Sequence, residues 1–322
     1  MSDFDADLII IGAGPAGLTA AQYGARANLK VLVLEQLAPG GQVLIIDIPE
    51  NYPGNAGQFD ADGKKIAEPK TGYDFALDLH RQAEAFGASF FSGSAVSLKK
   101  ENGLFSVYLS DGGAKKAKAV IMAAGSKPRL LDVPGEKEFS GKGVSYCAVC
   151  DGNFYKGKKI FVAGGGDAAC DEARYLSRLS NQITLVHRRD SFRAQKALAQ
   201  RTLNNPNIKV RFNAVIKEIK GGQKVKSVVL ADTKTGNICE EDTDAVFIFI
   251  GSVPQSSPVQ GGLNVKLDDE GYIVTDQKMA TNIEGLFAAG DIRSGAFRQI
   301  VTAAADGAMA AHSAAQYIDG IE

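Results

Sequence analysis

Two segments of this chain repeat one pattern, in which an apolar strand leads into a glycine-rich loop, a small-residue helix and a second apolar strand. In the first segment, residues 8–11 precede the loop Gly12-Ala13-Gly14-Pro15-Ala16-Gly17, and a helix expected over 18–27 precedes the strand 31–34. In the second, residues 159–163 precede the loop Gly164-Gly165-Gly166-Asp167-Ala168-Ala169, and a helix expected over about 168–179 precedes the strand 183–186. Glycines at this spacing between a strand and a helix are typical of βαβ units that bind dinucleotides. The sequence therefore predicts an α/β protein with two Rossmann-like domains.

The remaining apolar segments predict that one domain is inserted into the other. Residues 104–109 and 119–123 are expected to form hairpin strands, and the second unit closes near residues 245–251. Pro254 and Pro258 then mark a linker, and residues 285–291 and a small-residue helix over about 298–317 follow. We expect one dinucleotide-binding domain at 1–126 and 254–322 and the inserted one at 127–253, each with two β layers and one helical layer (ββα).

Composition and charge exclude several classes of function. The 322 residues carry a formal net charge of −1, so no overall basic field would attract nucleic acid or an anionic membrane surface. No apolar run approaches the roughly 18 to 20 residues that a membrane span needs. The acidic first residues, 1–7, do not have the pattern of a signal or transit peptide. Four cysteines, two of them in a C-x-x-C pair, suit a reducing compartment. We therefore expect a cytoplasmic protein without nucleic-acid or membrane partners.

The first loop is expected to bind the pyrophosphate of a dinucleotide, in our interpretation a flavin. Its first glycine permits a tight turn, its second lets the backbone approach the pyrophosphate, and its third lets the helix and strand pack closely. The amino end of the following helix supplies N–H groups that the helix itself leaves unpaired. Glu35, at the end of the next strand, is placed to accept hydrogen bonds from the adenosine ribose hydroxyls. The alternative is a plain tight turn followed by a solvated strand end.

Basic residues follow the second loop where Glu35 follows the first. The interval from Gly164 to His187 equals the interval from Gly12 to Glu35. The basic residues are His187, Arg188, Arg189 and, a few residues later, Arg193. An acidic residue at this place would repel a 2′-phosphate, whereas the guanidinium group of arginine matches its oxygens. The second site is therefore expected to prefer NADPH over NADH. For Arg193 alone, a solvated basic residue is the alternative.

A pair of cysteines in the inserted domain, Cys147-Ala148-Val149-Cys150-Asp151, is the expected chemical centre. Two cysteines separated by two residues can close a small disulfide ring that exchanges readily with other dithiols. Half of a zinc site and two inert core thiols are the alternatives, but zinc needs two more ligands, and the other cysteines and the three histidines are unpaired in sequence. Asp151 is expected to shuttle a proton at the thiols, with a turn-forming role as the alternative. Cys170 on a helix and Cys239 in a polar loop are interpreted as structural or incidental.

These motifs and several shorter ones resemble the low-molecular-weight bacterial thioredoxin reductases over nearly the whole chain. Besides the two loops and the thiol pair, the matching segments are Gly40-Gly41-Gln42, Glu50-Asn51-Tyr52-Pro53-Gly54, His187-Arg188-Arg189-Asp190, Phe192-Arg193-Ala194, Gly290-Asp291 and Arg298-Gln299. Redox cysteines in the second domain are specific to this family, because relatives of glutathione reductase carry theirs in the first. The chain departs from the family at Ala168, where a Ser or Thr is usual, and in a longer, charged connection over 55–71, which we interpret as a surface loop.

The resemblance implies an enzyme that passes electrons from NADPH through FAD and the Cys147–Cys150 disulfide to thioredoxin. It implies that Cys150 faces the flavin, that Cys147 attacks the thioredoxin disulfide and that Asp151 is the proton donor. The residues implied to bind FAD are Gly12, Gly14, Pro15, Ala16, Gly17, Glu35, Gly41, Gln42, Asn51, Gly290, Asp291, Arg298 and Gln299. Those implied to bind NADPH are Gly164, Gly166, Asp167, Ala168, His187, Arg188, Arg189 and Arg193. The resemblance also implies a homodimer whose inserted domain rotates between half-reactions.

Two other interpretations remain open. The same electron path would serve a different acceptor, such as a glutaredoxin-like protein, a peroxiredoxin, a small disulfide or O2. Alternatively, a flavin-bearing redox sensor would signal to a partner through the thiol pair without turnover. The intact basic run of His187, Arg188 and Arg189 favours an enzyme, because a sensor needs no dedicated electron supply.

Overall fold

The computed structural model describes residues 4–46, 48–49, 51–55, 57–59 and 62–321 of the chain. Its helices are α1 Pro15–Arg26, α2 Gly72–Ala85, α3 Ala148–Asp151, α4 Asp167–Leu176, α5 Lys196–Leu203 and α6 Ile300–Ile321. Its strands are β1 Ala6–Ile11, β2 Val31–Glu35, β3 Gln58–Phe59, β4 Lys65–Ala67, β5 Ser89–Ser92, β6 Ala95–Glu101, β7 Leu104–Leu109, β8 Ala114–Met122, β9 Ser126–Pro128, β10 Val144–Ser145, β11 Ile160–Gly164, β12 Ile183–Val186, β13 Ile208–Arg211, β14 Ala214–Gly221, β15 Val225–Asp232, β16 Ile238–Asp242, β17 Ala245–Phe249, β18 Ser252–Pro254 and β19 Leu286–Ala288. Glu50 of one matching segment and parts of the 55–71 connection lie outside the described residues.

The chain divides into two compact units, one of which interrupts the other. Unit 1 consists of Met1–Lys127 and Val253–Glu322, and unit 2 of Pro128–Ser252. The chain passes from one unit to the other within two short strands, β9 and β18, which pair with each other. The assignment of one cofactor to each unit stays a prediction.

Unit 1 is built on a parallel sheet whose strands are buried on both faces. The parallel strands follow the order β5-β2-β1-β8, β19 adds to β8, and β7 and β6 continue from β8 as an antiparallel meander. Leu8 and Ile10 of β1 pack with side chains of α1 and α6, whereas Ile9 and Ile11 pack with side chains of the meander. Because side chains alternate between the two faces, a strand covered on both sides is apolar at every position. This explains the continuous apolar run at residues 8–11.

Unit 2 repeats the same layers. Its parallel sheet has the order β10-β17-β11-β12-β13, and a separate antiparallel sheet has the order β14-β15-β16. Ile160 and Val162 of β11 pack with side chains of α4, and Phe161 and Ala163 pack with those of β14 and β15. Each unit therefore holds a helical layer, a parallel sheet and a second β layer, which confirms the predicted Rossmann-like ββα fold.

The 55–71 connection, which is expected to be a surface loop, contains regular structure. It contains the short hairpin of β3 and β4. The buried Asn55 ties its ends together, because its Nδ2 donates to Lys70 O at 3.0 Å and its Oδ1 accepts from Lys70 N at 3.2 Å. The hairpin thus closes on itself before Thr71 caps α2 by accepting the N–H of Asp74.

The last helix, α6, begins two residues later than expected and runs to Ile321. Within the described ranges, no helix combines the length and the apolar character that crossing a membrane would require.

Candidate functional site

The first glycine-rich loop joins β1 to α1 through a turn that excludes side chains at two positions. Gly12 has φ +103°, and a Cβ there would lie 2.5 Å from the carbonyl oxygen of Ala123. A Cβ on Gly17 would lie 1.8 Å from the carbonyl oxygen of Gly12. At Gly14, by contrast, no described atom lies within 4 Å of the ideal Cβ position. The backbone at Gly14 is therefore open to the approach of a large group.

The amino end of α1 and the carboxylate of Glu35 meet at this opening. The helix begins at Pro15, and its N-cap residue Gly14 offers no side-chain acceptor to the first N–H groups. Such an end is suited to an anionic group. Glu35 Oε2 accepts the N–H of Ala13 at 2.8 Å, and Oε1 accepts that of Leu37 at 2.9 Å. These bonds hold the predicted ribose-binding carboxylate beside the loop.

Two more predicted flavin-site residues lie against the first loop. A Cβ on Gly41 would lie 3.2 Å from Gly14 Cα, and one on Gly290 would lie 2.9 Å from Ala16 Cβ. Gly41 follows β2 and Gly290 follows β19, so loops after three parallel strands of one sheet, β1, β2 and β19, converge here. The carboxyl ends of parallel strands are where doubly wound folds bind ligands.

The remaining polar residues of the predicted flavin site pair with one another or with the backbone. Asn51 Nδ2 donates to Gln299 Oε1 at 2.8 Å, which joins two segments 248 residues apart. Gln42 Nε2 donates to the carbonyl oxygen of Ser126 at 2.6 Å. The structure thus brings Asn51 and Gln299 together, as the resemblance implies for two residues of one cofactor site, and shows a direct bond between them that the sequence did not predict.

Asp291 is a carboxyl that the fold holds away from water. It lies in the 3-10 turn Gly290–Ile292 after β19. Burial raises the pKa of Asp291 to about 6, against the opposing charge of Arg298 and with a further contribution from Asp306. Arg298 has φ +60°, and its guanidinium carbon lies 4.8 Å from the centroid of the Tyr272 ring. A desolvated carboxyl of this kind gains from hydroxyl donors, which a bound dinucleotide can supply.

The second glycine-rich loop is braced by the segment that follows β12. The carbonyl oxygen of Gly165 accepts the N–H of Arg193 at 2.7 Å. Asp167 Oδ1 accepts the N–H of Gln195 at 2.7 Å. The helix α4 begins at Asp167 without a side-chain cap, and no described atom lies within 4 Å of the ideal Cβ position of Gly166. This helix end, where Asp167 and Ala168 are exposed, is therefore open to an anionic group as well.

Three exposed arginines lie on the segment after β12, at positions 188, 189 and 193. The backbone bond from Arg193 to Gly165 fixes this residue next to the loop. Within the described part of the chain, the arginines in ion pairs are others, namely Arg174, Arg211 and Arg293. The guanidinium groups at 188, 189 and 193 are thus available to an anion that binds at the amino end of α4.

His187 does not share this exposure. Its side chain is only 6% exposed, and a Cβ on Gly165 would lie 2.1 Å from its Nδ1. Burial lowers the pKa of His187, and the charges of Arg193, Arg189 and Arg188 lower it further. Sequence reasoning grouped His187 with the arginines, but the structure places its ring beneath the loop.

The C-x-x-C cysteines form a disulfide whose Cα atoms are 5.3 Å apart. Cys147 is the N-cap of the short helix α3, and its Sγ accepts the N–H of Cys150 at 3.2 Å. Donation of an N–H group to sulfur at a helix start stabilises a thiolate. The geometry therefore favours Cys147 as the residue that carries the negative charge once the disulfide is reduced.

Asp151 is tied to the disulfide through Ser145, a residue that sequence reasoning missed. Ser145 lies at the end of β10 and is 5% exposed. Its Oγ accepts the N–H of Cys147 at 3.1 Å and donates to Asp151 Oδ2 at 2.6 Å. The bonds hold the carboxylate at a fixed place relative to the cysteines. The only signal in the sequence is that a hydroxyl residue stands two positions before Cys147.

The other two cysteines lie apart from this centre. Cys170 lies on the buried face of α4, and burial raises the pKa of its thiol. Cys239 is exposed but lies in strand β16, so its expected place in a polar loop was wrong. The strand forms because residues 238–242 pair with β15 despite their polar composition. Across the described residues, no group of three or more His, Cys, Asp or Glu side chains is arranged to hold a metal ion.

Comparison with known proteins identifies relatives over the full length of the chain. The sequence profile of the family described as pyridine nucleotide-disulphide oxidoreductase matches residues 6–307. A thioredoxin reductase of Treponema pallidum is 49% identical over 318 residues, which cover 99% of each chain. That of Bacillus subtilis is 44% identical over 319 residues, which cover 98% of this chain and 96% of its own.

Solved structures of thioredoxin reductases also match the fold of this chain. The thioredoxin reductase of Streptococcus pyogenes is 39% identical and matches with a TM-score of 0.89, covering 99% of this chain and 100% of its own. The thioredoxin reductase of Lactococcus lactis, in a structure described as the FR conformation, is also 39% identical, with a TM-score of 0.66 and coverage of 98% and 100%. This chain therefore belongs to the pyridine nucleotide-disulphide oxidoreductase family and is an oxidoreductase.

Proposed function

We propose that this protein is an NADPH-dependent thioredoxin reductase that works through FAD and the Cys147–Cys150 disulfide. The disulfide is the observation that carries the proposal. It lies in the same unit as the second glycine-rich loop and the three arginines, with Asp151 held beside it by Ser145. A disulfide that shares a protein with a flavin site and a pyridine-nucleotide site can complete a two-electron relay.

The residues of unit 1 fit FAD. The open backbone at Gly14 and the uncapped end of α1 would hold its pyrophosphate. The Glu35 carboxylate would accept bonds from ribose hydroxyls, and the desolvated Asp291 would accept bonds from further hydroxyls of the cofactor. When bound, FAD passes the two electrons of NADPH to the protein disulfide.

The residues of unit 2 fit NADPH. The open backbone at Gly166 and the amino end of α4 would hold the pyrophosphate, and Arg188, Arg189 and Arg193 would hold the 2′-phosphate. Ala168 supplies no hydroxyl at this helix end, and a hydrogen bond to a charged group is worth about 1.5–3 kcal/mol. Binding of NADPH is therefore expected to be weaker than with a Ser or Thr at this position, while the arginines retain the preference for the 2′-phosphate.

The reduced cysteines would then exchange with thioredoxin. The Cys147 thiolate attacks one sulfur of the thioredoxin disulfide, which forms a mixed disulfide and releases the other thioredoxin sulfur as a thiolate. Cys150 next attacks the sulfur of Cys147, releases the second thioredoxin thiol and restores the Cys147–Cys150 bond. Asp151 holds the proton that is taken up and given back as thiolates form and disappear.

Three further features of the proposal follow from this chemistry and from the family. The nicotinamide site and the disulfide belong to one unit, so both must take turns at the flavin of the other unit. We therefore propose that unit 2 rotates between the two half-reactions about the connections at β9 and β18. A homodimer and a cytoplasmic location complete the proposal.

The test is anaerobic NADPH oxidation by the FAD-loaded protein with thioredoxin from the same cell as the acceptor. Wild-type protein is expected to turn over rapidly with NADPH and slowly with NADH. Cys150→Ser is expected to abolish thioredoxin reduction, because the disulfide can no longer form. Cys170→Ser is the matched control, since this buried thiol lies outside the relay.

Other acceptors are distinguished in the same assay. A glutaredoxin-like protein, a peroxiredoxin and a small disulfide replace thioredoxin in parallel reactions at equal concentration. The proposal fails if NADPH reduces the bound flavin but thioredoxin gives no turnover above the rate with these acceptors or with O2.

A further inference from the structure

The ring of His187 fills the space that a side chain at position 165 would need. A Cβ on Gly165 would lie 2.1 Å from Nδ1, 2.3 Å from Cε1 and 2.4 Å from Cγ of His187. Gly165 does not have a positive φ, so its backbone conformation does not by itself require glycine. The glycine is needed because an aromatic ring lies against its Cα.

Both partners of this contact are held by the surrounding backbone. The N–H of His187 donates to Arg211 O at 2.9 Å, and its carbonyl oxygen accepts the N–H of Ala214 at 3.1 Å. The carbonyl oxygen of Gly165 accepts the N–H of Arg193 at 2.7 Å. The His187 ring therefore supports the loop from the β12 side, and the backbone N–H of Arg193 fixes the loop at Gly165.

The ring is not arranged to bind an anion. His187 is 6% exposed, and its Nε2 is buried without a hydrogen-bond partner among the described residues. The arginines at 188, 189 and 193 are exposed instead. The imidazole, which is buried against a glycine and hydrogen-bonded to the backbone of Ser191, acts through its position, whereas the neighbouring exposed guanidinium groups act through their charge.

We infer that His187 is a positioning residue, whose ring fixes the turn at residues 164–166 and thereby orients the amino end of α4 toward the pyrophosphate of the nucleotide. The inference rests on the proposed binding of NADPH to unit 2. Because NADPH and NADH share the pyrophosphate, His187 sets the affinity for both. The choice between them is left to the arginines that face the 2′-phosphate.

The first test is a pair of single variants and their combination in the full-length, FAD-loaded protein. Gly165→Ala is expected to weaken NADP+ binding by at least about tenfold, because its methyl group collides with the ring. His187→Ala is expected to weaken it by a smaller factor, since the loop loses its support. In the double variant, the methyl group enters the space that the ring has left, so NADP+ should bind at least about fivefold more tightly than to Gly165→Ala alone.

Isothermal titration with NADP+ measures these affinities without turnover, and Gly222→Ala serves as the control. Gly222 belongs to unit 2, lacks a positive φ and has no described atom within 4 Å of its ideal Cβ, so the dissociation constant should not change. Additive losses in the double variant would overturn the inference, because they would mean that the two residues act independently.

The second test distinguishes a residue that positions the loop from one that contacts the 2′-phosphate. It does not require that the Gly165→Ala variant fold. The rate of flavin reduction is measured with NADPH and with NADH for wild type, His187→Ala and Arg188→Ala. His187→Ala should lower kcat/KM for both nucleotides by the same factor, whereas Arg188→Ala should lower it for NADPH alone. A loss confined to NADPH in His187→Ala would contradict the inference. If the wild-type protein binds no NADP+, the proposed function itself fails.

Discussion

Asp291 is expected to lower the free energy of unfolding of the flavin-free protein at neutral pH, because its charged form is buried. Its pKa is raised from 3.8 to about 6 in the folded chain. Because one pH unit corresponds to about 1.4 kcal/mol, ionisation of this carboxyl costs the folded state about 3 kcal/mol above pH 6. Folding favours the protonated form of Asp291. The stability that this protonated form contributes is therefore fully present below pH 3.8 and is lost as the pH rises through about 6.

Replacement of Asp291 by Asn removes the charge and keeps the size of the side chain. At pH 8, the free energy of unfolding of the flavin-free variant should exceed that of wild type by up to about 3 kcal/mol. At pH 4, the difference should shrink to below about 1 kcal/mol, because wild-type Asp291 is then protonated in the folded state. Urea unfolding at both pH values measures the two differences. The same variant should bind FAD more weakly, since one of the two acceptor oxygens is replaced by an NH2 donor and the remaining one is uncharged.

Two other carboxyls of unit 1 provide controls: replacement of Asp306 should have the opposite effect, and replacement of Asp269 should have almost none. Asp306 Oδ2 accepts from Arg293 Nε at 2.9 Å and from Gly290 N at 3.1 Å, so Asp306→Asn should destabilise the protein by about 2 kcal/mol. Asp269 is exposed, and Asp269→Asn should stay within about 0.5 kcal/mol of wild type. A flavin-free Asp291→Asn protein that is no more stable than wild type at pH 8, or equally stabilised at pH 4, would refute the reasoning.

Two further predictions concern unit 2. Burial and the charge of Asp171 raise the pKa of Glu172 from 4.5 to about 7, and its Oε2 has no partner among the described residues. Glu172→Gln should therefore raise the free energy of unfolding at pH 8 by up to about 3 kcal/mol and change it little at pH 4, as urea unfolding will show; a gain at both pH values would contradict this. Ser145→Ala removes the donor to Asp151, so thioredoxin turnover should fall at least about fivefold while the NADP+ dissociation constant stays unchanged. Loss of NADP+ affinity in the Ser145 variant would mean that the serine supports the whole unit rather than the thiol centre.

The layered fold was predictable because its strands are covered on both faces. Residues 8–11 and 160–163 are apolar at successive positions, and each is followed by glycines where the backbone must turn into a helix. The apolar pattern and the glycine turn are properties of neighbouring residues in the chain, so they can be read from the sequence. The cysteine pair was predictable for the same reason, since its disulfide ring is local.

Long-range contacts could not be predicted in this way. The bond between Asn51 and Gln299 joins distant segments, and the burial of His187 depends on the backbone of Gly165. Charge pattern alone placed His187 with the arginines, because a sequence does not show which residue of a basic run faces inward. The strand at Cys239 was not predicted because residues 238–242 are mostly polar and lack the apolar pattern by which a strand is recognised, although they pair with β15. The raised pKa of Asp291 likewise results from burial by residues that lie far away in the chain.

The most direct test of the electron path is to identify the cysteine that bonds to thioredoxin. Cys150→Ser and Cys147→Ser proteins are each reduced, mixed with thioredoxin that lacks its resolving cysteine and carries an activated thiol, and examined by mass spectrometry of the intact complex and its peptides. We expect a one-to-one mixed disulfide through Cys147 in the Cys150→Ser protein and far less complex with Cys147→Ser. A complex that forms equally well through Cys150, or through neither cysteine, would contradict the proposed relay.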